Sequence, residues 1–216
     1  QIENVSTSLE VKDSGLQLKH LLVDHQQGSL TASGELNANY QHDFQIAANT
    51  SEAAAQNLQA ELVVKGSLQS LTVAANTRGD LHLDLSGDVG LSESDLPVDA
   101  HISWQQTDMN KWLQDLASNM ELKSGELNLS GDLSQYELNL KTGLVAEQLP
   151  EADLTLALNG NNKAIELSSA NIETLDGIIE LTGKLALTNS ADWQGLIAVK
   201  NIKPDSTQSS IGFCNN

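Results

Sequence analysis

Aromatic side chains are scarce: two Phe, two Tyr and three Trp make up 3% of 216 residues. Proline occurs three times and cysteine once, as Cys214. A lone cysteine excludes an intrachain disulfide framework and a cysteine-built zinc site. With an apolar content of 39%, little is available for a thick globular core. No Pro/Gly/Ser-rich linker divides the chain. It reads as one continuous β segment over 1–203, with a frayed or non-native tail over 204–216. No run of about 18 apolar residues occurs, so the sequence contains no transmembrane helix. It begins at Gln1 without a signal-peptide pattern and reads as an excised segment, whose ends say nothing about targeting. Basic residues are also few, 11 against 29 acidic ones, for a formal charge of −18. That excess argues against nucleic acid as a partner and against docking flat on an anionic membrane. On the solvent face of a long sheet, the same acids keep it soluble and discourage edge pairing.

What the chain does have is leucine in strict alternation. Leu127, Leu129, Gly131 and Leu133 share one parity; Tyr136, Leu138 and Leu140 share the other. A two-residue loop at Ser134-Gln135 would pair Leu133 with Tyr136 and Leu129 with Leu140, placing every apolar side chain on one face. Asn128, Ser130, Asp132, Glu137, Asn139 and Lys141 fall on the other. The same device recurs at Leu62–Leu68 and Leu71–Ala75 around Gln69-Ser70. Its rising half returns at Gly28–Leu36 and Gly177–Leu185, with a weaker copy at Leu81–Val89. The intervals are unequal, which argues for a repeated hairpin rather than a short-period solenoid.

Taken in order, the chain predicts thirteen or fourteen strands. Val5–Val11 and Leu16–Val23 alternate, with a turn over Asp24–Gly28. Thr50–Asn57 reads as a loop or one helical turn. Gly79–Leu91 reads as a long strand. Ser92–Pro97 is a loop before Val98, Ala100, Ile102 and Trp104. One short helix is expected after an N-cap at Thr107 or Asp108, with Met109, Trp112, Leu113 and Leu116 at helical spacing. Asn159-Gly160 and Asp176-Gly177 read as turn signals. A sheet this long, with one short helix to cover it, must either fold over on itself or leave its apolar face for something else. A glycine on that face marks a bend or an open place in a groove.

Nothing assembles a catalytic or metal site. His20, His25, His42, His82 and His101 are scattered. Asp80, Asp84 and Asp88 would spread over ~26 Å of strand, too far to share an ion. No Gly-x-Ser-x-Gly elbow and no phosphate-binding glycine loop occurs. The chain is therefore expected to be no enzyme and to need no cofactor.

The segment Gln27–Leu36, then Leu96-Pro97-Val98 with Trp104, Leu127–Leu140, Gln148–Leu156 and Trp193-Gln194-Gly195, taken in that order, resembles the AsmA-like superfamily. The similarity runs from about residue 8 to residue 203, and is greatest to its branch in the Gram-negative translocation and assembly module. Ser209–Asn216 departs from the pattern. The resemblance implies an all-β fold, a long antiparallel sheet curved into a U or taco-like shape around an apolar groove. It implies an N-terminal-to-middle periplasmic segment of an inner-membrane-anchored protein. The implied partners are phospholipid acyl chains and, through regions outside this chain, an outer-membrane TamA-type protein. The residues then expected to line the groove are Leu81, Leu83, Leu85, Val89, Leu127, Leu129, Leu133, Leu138, Leu140, Leu154, Leu156, Leu158, Ile179, Leu181, Leu185 and Leu187. A lipid conduit and a scaffold for outer-membrane strands use the same features. A parallel β-helix enzyme or adhesin is disfavoured, because two-residue loops impose antiparallel pairing.

Overall fold

The computed structural model describes residues 2–37, 41–50, 57–67, 69–91, 94–111, 119–147, 149–187 and 191–203. They form one antiparallel sheet. Its strands are β1 (Ile2–Lys12), β2 (Gly15–His25), β3 (Gly28–Asn37), β4 (Gln41–Thr50), β5 (Leu58–Ser67), β6 (Leu71–Gly79), β7 (Leu83–Val89) and β8 (Val98–Trp104). Then come β9 (Thr107–Asp108), β10 (Met120–Leu122), β11 (Gly125–Gly131), β12 (Tyr136–Ala146), β13 (Leu149–Gly160), β14 (Ala164–Thr174), β15 (Gly177–Leu187) and β16 (Ala191–Lys200). Fourteen strands pair in sequence order from β1 to β16, with β8 bonded to β11. The short β9 and β10 lie off this path, β10 pairing with both β9 and β12. The sheet is open, and β1 and β16 are its edges. Every pairing is antiparallel, as alternation joined by tight turns requires.

The alternation of residue type becomes an alternation of burial. Along β7 and β11 the apolar positions are half-buried and the polar ones exposed. Scarcely any side chain is covered further: among the described residues the buried hydrophobic ones are Leu71, Ala146 and Ala170. A compact protein of this mass exposes about 9,700 Å². This chain exposes 14506 Å². Its stability therefore rests on in-plane hydrogen bonds and cross-strand side-chain contact, with little contribution from a closed core.

Two hairpins differ in register from the sequence expectation. Gly131 pairs with Tyr136, Leu129 with Leu138 and Leu127 with Leu140. The apex is Leu133-Ser134, one residue earlier than expected. The cause is Asp132, whose Oδ1 accepts from the backbone N–H of Ser134 and of Gln135 and from the Ser134 hydroxyl. Gly131, at φ 118°, supplies the left-handed backbone that turns the strand into this loop. In the β5–β6 hairpin Gly66 pairs with Leu71, and Ser67 and Ser70 exchange backbone hydrogen bonds of 3.0 Å. Leu68 lies outside the described residues. In both cases the slip is two residues in pairing, so side chains keep their face.

Other boundaries also move. The expected Asn159-Gly160 turn lies within β13; the turn itself is built by Asn161, whose Oδ1 accepts from the N–H groups of Lys163 and Ala164. Leu175 and Asp176, with φ of 49° and 59°, form the β14–β15 turn ahead of Gly177. The first turn narrows to Gln26-Gln27, since His25 pairs with Gly28. The strand expected from Gly79 starts only at Leu83. Of the expected helix, the described part is one 3-10 turn, Met109–Lys111, with Asp108 Oδ1 accepting from Asn110 N–H. Trp112, Leu113 and Leu116, the 51–56 stretch and the tail from Pro204 lie outside the described residues.

The register gives a direct prediction. In a Cys214→Ser background, cysteines at 129 and 138 should form a disulfide readily under mild oxidation, and cysteines at 129 and 140 should not. Directly opposed positions bring Cα atoms within the ~4.4–6.8 Å a disulfide needs, and diagonal ones do not. Diagonal cross-linking in preference would restore the two-residue loop at Ser134-Gln135.

Candidate functional site, the apolar face

Register places the apolar residues in lanes that run across the strands. Lane two is Leu9, Leu18, Gly34, Phe44, Val64, Val73, Gly87, Ala100, Leu129, Leu138, Leu158, Leu167, Gly183 and Gly195, each paired with the next. Lane three, beside it, is Thr7, Leu21, Ala32, Ile46, Leu62, Ala75, Leu85, Ile102, Leu127, Leu140, Leu156, Ala170, Leu181 and Ile197, again unbroken. Lane one flanks lane two, from Val11 and Leu16 through Leu71, Val89 and Val98 to Tyr136, Gly160, Ile165, Leu185 and Trp193. Lane four flanks lane three. It starts at Val5, Val23 and Leu30, passes Leu83, Trp104 and Gly125, and ends at Leu154, Ile172, Ile179 and Val199. Across fourteen strands at about 4.8 Å spacing, the lanes are about 62 Å long. They contain no Lys, Arg, Asp or Glu. His42, stacked on Phe44 at 6.0 Å, is their one histidine.

Thirteen residues expected at the groove fall in these lanes. Leu85, Leu127, Leu140, Leu156 and Leu181 are in lane three; Leu129, Leu138 and Leu158 are in lane two. Leu83, Leu154 and Ile179 belong to lane four, Val89 and Leu185 to lane one. Leu187 shares their face at the end of β15, exposed and opposite Ala191. The other two are placed elsewhere. Leu133 is carried out of the strand at the hairpin apex, 49% exposed, its N–H donating to Asp95 O. Leu81 precedes β7, and its carbonyl accepts from the Thr77 hydroxyl.

The sequence list missed Leu21, Ile46, Leu62, Ile102 and Ile197 of lane three and Val64, Val73 and Leu167 of lane two. Bulges account for part of this. Alternation changes parity between Leu18 and Leu21 and between Leu167 and Ala170, where the register shifts. Each bulge turns the second half of its strand back onto the apolar face. The signal was present: Ser168-Ser169 and Lys19-His20 are polar pairs between two alternating runs of opposite parity.

The opposite face carries the charge. Arg78 pairs with Asp84 at 2.7 Å and Lys200 with Glu180 at 2.7 Å. Asp88 accepts from the Thr72 hydroxyl, and His101 Nδ1 meets Asn128 Oδ1 at 2.7 Å. Asp80 takes Lys111 Nζ at 2.7 Å and Asn57 N–H at 2.8 Å. Asp80, Asp84 and Asp88 thus have three separate sets of partners. Lys123 reaches over Gly143 to Asp153 and Glu151, which raises its pKa and ties the β10–β11 connection to β13. Among the described residues no cluster of three His, Cys, Asp or Glu side chains converges as a metal site would. No helix of the described residues is long and apolar enough to cross a membrane.

An open sheet of this length, with one face free of fixed charge and almost no core behind it, defines a class. It is a surface-presenting β protein, built to offer an extended apolar face rather than to enclose a pocket. The chain belongs to the family described as TamB, N-terminal domain, whose profile matches residues 1–211. It is 23% identical over 226 residues to the translocation and assembly module subunit TamB of Haemophilus influenzae (strain ATCC 51907 / DSM 11121 / KW20 / Rd). That alignment covers 99% of this chain and 16% of the relative. No solved structure matches.

Hydrogen bonds from the Ser134 hydroxyl and from the Gln135 and Ser134 N–H groups hold the Asp132 carboxyl below its ordinary pKa. The folded form therefore binds this proton less readily than the unfolded chain. The turn's stabilisation is complete above the ordinary carboxylate value near pH 4, and is lost as pH falls through the depressed one. Asp132→Asn keeps an acceptor oxygen without the titration. Its melting temperature should fall less steeply than the parent's between about pH 5 and pH 2. Parallel curves would remove Asp132 from the acid response.

Proposed function

We propose that this chain is a periplasmic segment of a TamB-type, inner-membrane-anchored protein, and that its apolar face carries phospholipid acyl chains between the inner and outer membranes. One observation carries the reading: lanes two and three run unbroken from β1 to β16 without an ionised side chain. The strands' N–H and C=O groups are committed to in-plane pairing. A polypeptide laid on this face would find no partners for its own backbone and would lose hydrogen bonds with water. An acyl chain has no such groups to satisfy. Each of its methylenes removed from water contributes about 0.8 kcal/mol. Because successive strands offer similar leucine-rich contacts, no position holds the chain much better than the next, which favours sliding over capture. The role is non-catalytic. The acidic outer face keeps the segment away from anionic headgroups, so the acyl chains are what it engages. The outer-membrane partner, of the TamA type, is met by regions beyond these residues, and curvature of the sheet into a U shelters the cargo.

A second reading, a scaffold for outer-membrane strands, is favoured by the edges. β16 is ten residues long, has no proline, and carries its one lysine at its last position. Ile197 and Leu196 on it are 71% and 76% exposed. Such an edge accepts an added strand by backbone pairing.

Native mass spectrometry of the purified chain separates the two. Phospholipid should co-purify, and Leu129→Asp or Leu181→Asp, which charge lanes two and three, should abolish most of the occupancy. Asn128→Asp, on the opposite face, should retain it. A monodisperse lipid-free parent that binds strand peptides through β16 would transfer the weight to the scaffold. Equal losses from all three variants would overturn the assignment of faces.

A further inference from the structure

The few aromatic residues are not distributed at random on the apolar face. Among the described residues there are four, and each has a glycine of a neighbouring strand beneath its ring. Phe44 pairs with Gly34, Trp104 with Gly125 and Tyr136 with Gly160, while Trp193 covers Gly183 on β15 and Gly195 on its own strand. A Cβ added to Gly34, Gly125, Gly160 or Gly183 would clash with its partner's ring, 2.3 to 2.5 Å from the nearest ring atom. A side chain on a strand ordinarily stands roughly perpendicular to the sheet. These rings instead lean over the vacancy that glycine leaves. Gly34, Gly125, Gly160 and Gly183 are therefore not open places in a groove; they are filled from the next strand, whereas Gly87 faces only Ala100. Lane three has neither a glycine nor a ring anywhere along it.

We propose that these cross-strand aromatic–glycine pairs set the clearance of the acyl path, glycine being the positioning residue that keeps each ring flat. The inference rests on the lipid reading above. Aromatic surface helps cover the backbone that glycine exposes, yet an upright ring in a flanking lane would lean into the aliphatic strip. Placing glycine opposite each ring retains its contact area while keeping its height below that of the leucines. Gly160 gives the cleanest case, because the three atoms nearest its missing Cβ all belong to the Tyr136 side chain. At Gly34 and Gly125 a backbone carbonyl lies 2.6 and 2.5 Å from that position, so substitution there would strain the sheet itself; at Gly183 the nearest carbonyl is 2.9 Å away and a smaller shift relieves it.

The test is titration of the purified chain with an anthroyloxy-labelled fatty acid, alongside circular dichroism and thermal melting. Gly160→Ala should weaken binding by about tenfold, equivalent to losing the burial of about two methylenes, while the fold is unchanged. Adding Tyr136→Leu to Gly160→Ala should restore affinity, because no ring is then left for the alanine to lift. Should Gly160→Ala misfold, Gly183→Ala and its rescue by Trp193→Leu give the same reading at a second pair. Parent-like binding by a folded Gly160→Ala, or no rescue by Tyr136→Leu, overturns the clearance role while leaving lipid binding intact. A parent that binds no fatty acid removes the lipid reading itself, and this inference with it.

Discussion

An antiparallel sheet satisfies its backbone edgewise, and that fact governs the whole molecule. Each interior strand spends its N–H and C=O groups on two neighbours, so neither face needs a polar partner. One face is then free to be apolar without any element packed on it. Ordinary proteins close such a face against helices or a second sheet. Here the burial of Leu71, Ala146 and Ala170 is the exception, and fourteen strands share a face that is only half covered by its own side chains. Local pairing does the work of a core. Contacts form almost entirely between sequence neighbours, so the sheet extends by adding hairpins.

Charge and shape are separated with the same economy. Acids, their lysine and arginine partners and the amides lie on one side. Most leucine, isoleucine and valine lie on the other, where glycine sits beneath a ring, at a left-handed hairpin position or, at Gly87, against Ala100. Strand bulges in β1, β2 and β14 preserve this division. Without the shift between Leu167 and Ala170, half of β14 would present its apolar side chains to the acidic face. Continuity of the lanes is thus maintained actively, by local irregularities, and not merely by uniform repetition.

Much of this was legible in the residues, because period-two alternation fixes which side chains share a face. The all-β class, the antiparallel order and most of the apolar face follow from it. Two kinds of detail did not. Hairpin apices shifted because side chains choose the loop: Asp132 and Asn161 accept hydrogen bonds that alternation cannot reveal. Leu133 was lost from the face for that reason. The meaning of Gly160 was also hidden. Beside Asn159 it resembles a turn signal, and only the pairing with Tyr136 shows that it is required beneath a ring. Cross-strand partners belong to the fold rather than to the local sequence.

The central claim is that acyl chains lie on one face of this sheet and not on the other. The most direct measurement is photo-cross-linking to native membrane lipids from single positions of β13. A photoreactive residue at Leu156, in lane three, should yield phospholipid adducts; the same residue at Thr155, its neighbour on the acidic face, should yield none. Adducts at both positions, or at Thr155 alone, would contradict the account.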